Sequence, residues 1–318
     1  MADDGDIRAL HLVTAREVFF TQQIETLESK GVDCTVLVVP GEDQIDGAMG
    51  QGRGVREYLQ FFPMVRRELR RAEYDLIHAN YGLTAPYAVT QRRLPVLLTL
   101  WGSDVVGFDG LVTKACAWRA DAITVRSAEM RTLLGRDAHI VPSGIDMETF
   151  RPIDRTDARD RVGWGAEGTN VLFPYSPDYE RKNYPLARHV VDAVADRTGI
   201  DATLRTISGV PHDEVPYYMN AADAVLLTSR HEGSPNTVKE AMACNVPVVS
   251  TDVGDVRERL ADVSVGGVGD SEDELVDLLA EVLRAGDRSD GRRAVAEVSW
   301  DRIGTRLIDI YRSLLDET

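Results

Sequence analysis

The sequence predicts an α/β protein built from two Rossmann-like halves, each a parallel sheet covered by helices. Three observations carry that expectation. Short apolar runs alternate with amphipathic stretches along the whole chain. The runs are rich in β-branched residues, as strands buried on both faces are. The pattern stops at a segment rich in proline and charge, Phe150–Gly165 (FRPIDRTDARDRVGWG), and then begins again. A chain of 318 residues with 43% apolar content is long enough for two cores of ordinary size.

In the first half, Ile7–Thr14 reads as a strand, Gln22–Lys30 as a helix closed by Gly31, and Cys34–Val39 as the next strand. Gly41–Gly54 is glycine-rich and polar, hence a loop. Tyr58–Ala72 reads as a helix, Leu76–Ala79 as a strand, Leu83–Gln91 as a helix and Val96–Leu100 as a strand. Leu111–Arg119 is helical, Ala122–Val125 extended, Ala128–Leu134 helical and His139–Val141 extended.

In the second half, strands are expected at Val171–Pro174, Thr203–Ile207, Ala224–Thr228 and Val248–Thr251. Helices are expected at Pro185–Asp196, Val215–Asn220, Asn236–Ala243 and Glu272–Ala285. The tail carries Ile303, Leu307, Ile310 and Leu314 at helical spacing. The domains are therefore drawn at 1–150 and 151–300, with a C-terminal helix over 301–318 that can cross back to the first domain. Two such units bring the carboxyl ends of two parallel sheets towards one cleft, where open sheets bind ligands.

Composition narrows the partners. There are 52 acids against 36 bases, a net charge of −16, and only four lysines: Lys30, Lys114, Lys182 and Lys239. Such a surface repels nucleic acid and anionic lipid overall. The chain reads as a halophile's cytoplasmic protein; the alternative is an ordinary acidic protein from a GC-rich genome, where arginine replaces lysine by codon bias. Cys34, Cys116 and Cys244 are odd in number and far apart, which argues for reduced thiols and against a zinc site. No run approaches the ~18 apolar residues of a membrane span, and the start, MADDGD, is acidic, unlike a signal peptide. A soluble cytoplasmic protein follows. GxGxxG after a strand, Walker, HExxH and GxSxG motifs are missing.

Chemistry concentrates between Ser229 and Asp255 (SRHEGSPNTVKEAMACNVPVVSTDVGD). A buried strand ends at the loop Ser229–Gly233. Ser234 is a good N-cap and Pro235 stands at the preferred first helical position. The helix start then offers free N–H groups and a partial positive charge to a phosphate. Glu232 lies just outside that start and Glu240 one to two turns inside. The two carboxylates either bracket a ligand, accepting hydroxyls of sugar or ribose, or are solvated acids.

This segment resembles the Glu-x7-Glu donor motif of retaining glycosyltransferase family four, the group 1 glycosyltransferases of GT-B fold. The similarity continues through Pro211–Thr228 and Pro247–Asp255, and in the first half through Asp75–Gly82 (DLIHANYG), Thr99–Asp104 (TLWGSD) and Ile140–Asp146 (IVPSGID). It spans roughly residues 7 to 318. The resemblance implies a nucleotide-sugar donor held by the second domain. Glu232 would face the donor sugar, Glu240 the ribose, and the amides of Gly233, Ser234, Pro235 and Asn236 (proline lacking an N–H) the sugar and diphosphate stretch. Lys182, in ERKNYP, matches the lysine that neutralises the leaving diphosphate. No metal-binding DxD is apparent, so no metal and no other cofactor are expected, and stabilisation of the leaving group falls to Lys182 and the helix end.

Two positions depart from the family. Its arginine five residues before the lysine is Pro177 here, with Arg181 nearby as a substitute. Its histidine before Gly-x-Asp is Trp101, which either stacks on a sugar face or packs in the core. On the acceptor side the candidates are His78, Trp101, Asp104 and Arg16. His78 either touches the acceptor or is a core histidine. The run Arg66, Arg67, Arg70 and Arg71 is either a solvated face or a dock for a lipid phosphate at the inner face of the membrane. The resulting reading is a retaining, metal-independent hexosyltransferase-like enzyme of cell-surface glycan or protein glycosylation, with a glycan, lipid-linked or protein acceptor. A non-catalytic nucleotide-sugar-binding or scaffold subunit, or a sugar-nucleotide epimerase of the same fold, is the alternative.

Overall fold

A computed structural model describes residues 7–41, 54–105 and 107–317. The acidic start and most of the expected glycine-rich loop, residues 42–53, lie outside the described residues. The chain divides into two compact units, residues 1–144 with 300–318, and residues 145–299.

The first unit runs β1 (Ile7–Val13), α1 (Val18–Ser29), β2 (Val32–Val38), α2 (Val55–Arg71), β3 (Leu76–Ala79), α3 (Ala85–Val89), β4 (Val96–Thr99), α4 (Gly107–Ala117), β5 (Ala122–Val125), α5 (Ala128–Leu134) and β6 (His139–Ile140). Its strands are all parallel, in the order β2-β1-β3-β4-β5-β6. Every residue of β3 and β4 is buried, which is why these segments are mainly apolar, with His78 and Thr99 as the polar exceptions. Leu10, Leu12, Ile77, Leu98, Ile123 and Val125 form the core with Phe61 and Val65 of α2. Truncating any of these leucines costs about 2–5 kcal/mol.

The second unit runs α6 (Arg155–Val162), β7 (Thr169–Phe173), α7 (Tyr184–Thr198), β8 (Ala202–Thr206), α8 (Val215–Ala221), β9 (Ala224–Leu227), α9 (Asn236–Ala243), β10 (Val248–Thr251), α10 (Val256–Leu260), β11 (Gly266–Gly269), α11 (Glu272–Ala285) and α12 (Gly291–Val295). Its parallel sheet has the order β11-β10-β9-β7-β8. Chain direction across the sheet reverses between β7 and β9, so the loops after these two strands diverge and leave a crevice at their carboxyl ends. Val171, Phe173, Val190, Leu226, Val249, Leu275 and Leu279 build the core.

The last helix, α13 (Trp300–Asp316), belongs to the first unit. Trp300 Nε1 donates to Gln22 Oε1 at 2.9 Å, and Lys30 pairs with Asp301 at 2.6 Å. Ile303, Leu307, Ile310 and Leu314 are all buried, as their spacing requires.

Local differences from the sequence reading have physical causes. The segment Phe150–Gly165 contains α6, whose N-cap Asp154 accepts from the backbone N–H groups of Thr156 and Asp157. Its charge had hidden the helix, yet Arg159 is buried and bonds Asp223 at 2.7 Å and the carbonyls of Ala221 and Ala166. β11 has the sequence GGVG, which carries no strand propensity and forms through its pairing with β10.

Candidate active site

The loops at the β7/β9 reversal hold a buried pair of opposite charges, Lys182 and Glu232. Three loop backbones are tied together there. Thr228 Oγ1 donates to the carbonyls of Lys182 and Asn183, both at 3.1 Å. Arg230 N donates to Arg181 O at 3.0 Å, and Thr251 Oγ1 to Ser229 O at 2.8 Å. Lys182 closes a 3-10 turn, Glu180–Lys182, and Asn183 turns the chain into α7 with φ 58°, a conformation asparagine tolerates.

That framework aims Lys182 at Glu232. Nζ donates to Oε1 at 2.6 Å, and the two side chains are only 7% and 10% exposed. The ammonium also lies 3.7 Å from the centre of the Tyr175 ring. Tyr175 is held in turn by a 2.6 Å hydrogen bond between its hydroxyl and Thr237 Oγ1 in the first turn of α9. Burial pulls the Lys182 ammonium below its ordinary range, and the Glu232 carboxylate opposes that shift. Tyr175 is pushed well above its ordinary value by burial and then by Glu232.

The start of α9 differs in detail from the sequence expectation. Pro235, not Ser234, is the N-cap residue, with φ −67° and ψ 120°, and no side chain caps the helix. The Ser234 hydroxyl points elsewhere. It donates to Asp255 Oδ2 at 2.9 Å and accepts from Lys239 Nζ at 3.2 Å. Asp255 also takes Arg259 Nε at 3.1 Å. The Ser234 side chain therefore anchors the loop, and the backbone of Gly233 rests on Gly254. A Cβ on Gly254 would lie 2.5 Å from Gly233 O, and its φ of +60° independently demands glycine. Asn236 Oδ1 is buried with no hydrogen-bond partner among the described residues.

Glu240 lies on α9 beside His212, with Nε2 to Oε1 at 3.8 Å and Glu240 14% exposed. Contact with Glu240 raises the His212 imidazole above its ordinary value, burial opposing. Phe150 meets the imidazole edge-on at 5.3 Å. Arg181 is exposed and bonds the Tyr179 hydroxyl at 2.9 Å; Pro177 is exposed on the same loop. In this unit the structure thus brings Lys182 and Glu232 together, puts Gly233–Asn236 beside them, and pairs Glu240 with His212. Tyr175, His212 and Asp255 escaped the sequence reading because their parts are tertiary.

The first-unit candidates divide differently. His78 is fully buried in β3: Nδ1 pairs with Tyr311 Oη and Nε2 with Thr99 Oγ1, each at 2.6 Å. Burial, then His11 and Arg126, hold it well below the ordinary histidine range, so it is a neutral core residue with both nitrogens in use. Asp104 is equally buried and accepts from the backbone N–H groups of Trp101, Gly102 and Gly82, at 2.9–3.2 Å. It shapes the turn after β4. Trp101 is half-buried; its Nε1 donates to Asn80 O at 2.8 Å, Phe19 packs at 4.4 Å and the Arg126 guanidinium lies 3.4 Å from its ring centre. Arg126 went unnoticed in the sequence, although it directly follows a buried strand. Arg16 is exposed in the β1–α1 loop, at the point where the first sheet's order reverses. Arg66, Arg67, Arg70 and Arg71 are all exposed on α2.

With this geometry in place, the relatives can be set beside it. The family described as Glycosyltransferase Family 4 matches residues 17–149, and that described as Glycosyl transferases group 1 matches residues 188–296. A D-inositol 3-phosphate glycosyltransferase of Xylanimonas cellulosilytica is 26% identical over 312 residues, covering 78% of this chain and 74% of its own. A putative teichuronic acid biosynthesis glycosyltransferase of Bacillus subtilis, TuaC, is 31% identical over 212 residues, 57% of this chain and 54% of its own. Among solved structures, sucrose-phosphate synthase of Thermosynechococcus elongatus is similar with a TM-score of 0.79 at 17% identity, covering 98% of this chain and all of that one. Anabaena HepE in complex with UDP and glucose follows with 0.69 at 16%, covering 96% of this chain and all of that one. These structural likenesses establish the two-domain GT-B fold.

Proposed function

Since the chain belongs to the group 1, family four glycosyltransferases, we propose that it moves a sugar, with retention, from a nucleoside diphosphate to an acceptor carried by the first unit. One observation carries the reading: Lys182 and Glu232, fifty residues apart in sequence, are paired at 2.6 Å beside the uncapped start of α9. An entering diphosphate places negative charge where the N–H groups of α9 and the Lys182 ammonium converge. It competes with Glu232 for Lys182. The carboxylate so released accepts the hydroxyls of the donor sugar, and the ammonium stabilises the leaving diphosphate as its charge develops. Asn236 Oδ1, lacking a donor among the described residues, is a further acceptor for a ligand hydroxyl. Glu240 takes the ribose hydroxyls, with His212 fixing its orientation. No metal ion enters this scheme. The first nucleotide to test is UDP, because HepE is similar in fold and was solved with it.

The α2 surface supports peripheral contact with a membrane at its cytoplasmic face. This helix carries five arginines against two glutamates in a chain of net charge −16, and exposes Val55 and Leu59 by 78% and 70%. No helix among the described residues is long and apolar enough to cross a membrane. Such contact suits a lipid-linked acceptor of cell-surface glycan assembly.

The test is calorimetric titration with UDP and with UDP-glucose, followed by turnover with acceptor extracts. UDP binding and transfer both lost in Lys182→Ala, with UDP binding kept but UDP-glucose binding weakened and transfer lost in Glu232→Ala, are the expected results. Donor binding without transfer, in wild type and variants alike, would convert the reading to a binding subunit. Conversion of donor without acceptor would make it an epimerase.

A further inference from the structure

Arg126 lies directly after β5, at the carboxyl end of the first unit's parallel sheet. Its residue exposure is 3%. Nη1 donates to Val141 O at 2.9 Å. Nε and Nη2 are buried and have no hydrogen-bond partner among the described residues. The carboxylate that acts on it electrostatically, Asp104, already accepts three backbone N–H groups and makes no ion pair with it. Burial accordingly lowers the guanidinium to about 9, with Asp104 opposing. A buried cation with two idle donors is unfavourable in the free fold. Its charge and its planar fork match a carboxylate or a phosphate, both of which accept two parallel N–H bonds.

Trp101 covers this group. Its ring lies 3.4 Å from the guanidinium carbon, and it is half-buried. It leads into Gly102, which has φ +136° and, among the described residues, nothing within 4 Å of where a Cβ would stand. A hydrogen bond from Nε1 to Asn80 O holds the ring closed at 2.8 Å.

We propose that Arg126 is the anchor for an anionic substituent, carboxylate or phosphate, on the acceptor, and that Trp101 is the cover displaced when that substituent enters. The assignment rests on the transferase reading above and names its acceptor class: an acidic sugar or a phosphate ester, in preference to a neutral hexose. It also explains why an aromatic residue stands at Trp101. A ring stacks on a guanidinium that makes no ion pair among the described residues, which shields the charge until an anion replaces it.

The experiment titrates the full chain by calorimetry with D-glucuronate, inorganic phosphate and D-glucose, at constant ionic strength set with NaCl. Glucuronate or phosphate is expected to saturate, glucose to show no binding, and Arg126→Gln to weaken the anion at least ten-fold while leaving UDP affinity within two-fold. Saturation by glucuronate assigns a carboxylate and saturation by phosphate a phosphate ester; either supports the proposal. Should Arg126→Gln fail to fold, Arg126→Lys decides, because it keeps the charge without the fork; a ten-fold loss is expected. A wild type that takes up the anion but no UDP supports the assignment while removing the donor reading. A wild type that binds UDP but neither anion overturns the assignment and leaves the donor reading standing. Undiminished anion binding in the Arg126 variants also overturns it.

Discussion

Lys182 Nζ and Glu232 Oε1 lie 2.6 Å apart with both side chains at most 10% exposed, so each is the other's counter-ion in the free protein. Removing one leaves the other buried and unpaired. Lys182→Met and Glu232→Gln are each expected to destabilise the fold by about 3–5 kcal/mol, and the double variant by less than the sum. Urea unfolding of the four proteins measures this coupling. Transfer should fall by about 10²–10³ in Lys182→Met, because a preorganised charge at the leaving group is lost. Additive stability effects would show that the pair is not coupled.

Gly254 tests the packing behind the donor loop. Gly254→Ala forces a Cβ to within 2.5 Å of Gly233 O at a φ of +60°. Strain of about 1–3 kcal/mol is expected, relieved in part by displacing Gly233 and with it Glu232. The variant should melt lower and bind UDP more weakly. A normal Kd with a lowered Tm would confine the role of Gly254 to stability.

These two positions also show what a sequence can and cannot reveal. The parallel sheets were legible because β3, β4 and β9 are buried along their whole length and are apolar but for His78 and Thr99. Lys182 and Glu232 stand out individually, one as a rare lysine and one in a loop before a helix, yet their distance from each other depends on the β7/β9 reversal. The role of Ser234 was misread for the same reason. Its preference for a cap is local, whereas its bond to Asp255 is tertiary and prevails. His78 and Asp104 have polar side chains that look available; only the fold reveals that Tyr311, Thr99 and three backbone amides already occupy them. Arg126 carries no local signal beyond its place after a strand.

His78 yields a prediction of the opposite kind from Lys182. It bridges Tyr311 on α13 and Thr99 on β4 inside the core. His78→Leu should leave two hydroxyls without that partner and destabilise by about 1–3 kcal/mol. Tyr311→Phe should lose about 1 kcal/mol. Donor KM and kcat at a temperature well below Tm should be unchanged in both. A large kcat loss in a folded His78→Leu protein would restore His78 as an acceptor contact.

The His212–Glu240 pair predicts a pH effect with a definite sign. The folded protein raises the His212 imidazole above its unfolded value, chiefly through Glu240. Its contribution is fully present below the unfolded pKa of about 6.5 and is lost as pH rises through the folded value. The imidazole is 40% exposed, so solvent screens the pair and the effect is below about 1 kcal/mol. Wild-type Tm minus the Tm of His212→Ala should therefore be larger at pH 5.5 than at pH 8.5. A difference that grows with pH would contradict the pairing.

The α2 surface makes the last prediction, and it separates charge from greasiness. Arg66, Arg67, Arg70 and Arg71 are exposed, as are Val55 and Leu59. An arginine near an anionic bilayer contributes about 1 kcal/mol, an attraction that fades beyond a Debye length of about 10 Å at 0.1 M salt. Arg66→Glu with Arg70→Glu should weaken co-sedimentation with phosphatidylglycerol vesicles at least ten-fold. Leu59→Ser should weaken it less, and by the same factor at low and high NaCl, because burial of an apolar side chain is not screened. Vesicles of phosphatidylcholine alone should bind poorly in every case. The rest of the acidic surface opposes approach, so added salt acts both ways: it weakens the arginine contact and relieves the repulsion. Binding that peaks at intermediate salt would follow from that balance, whereas binding indifferent to both salt and lipid charge would show that α2 is only a solvated face.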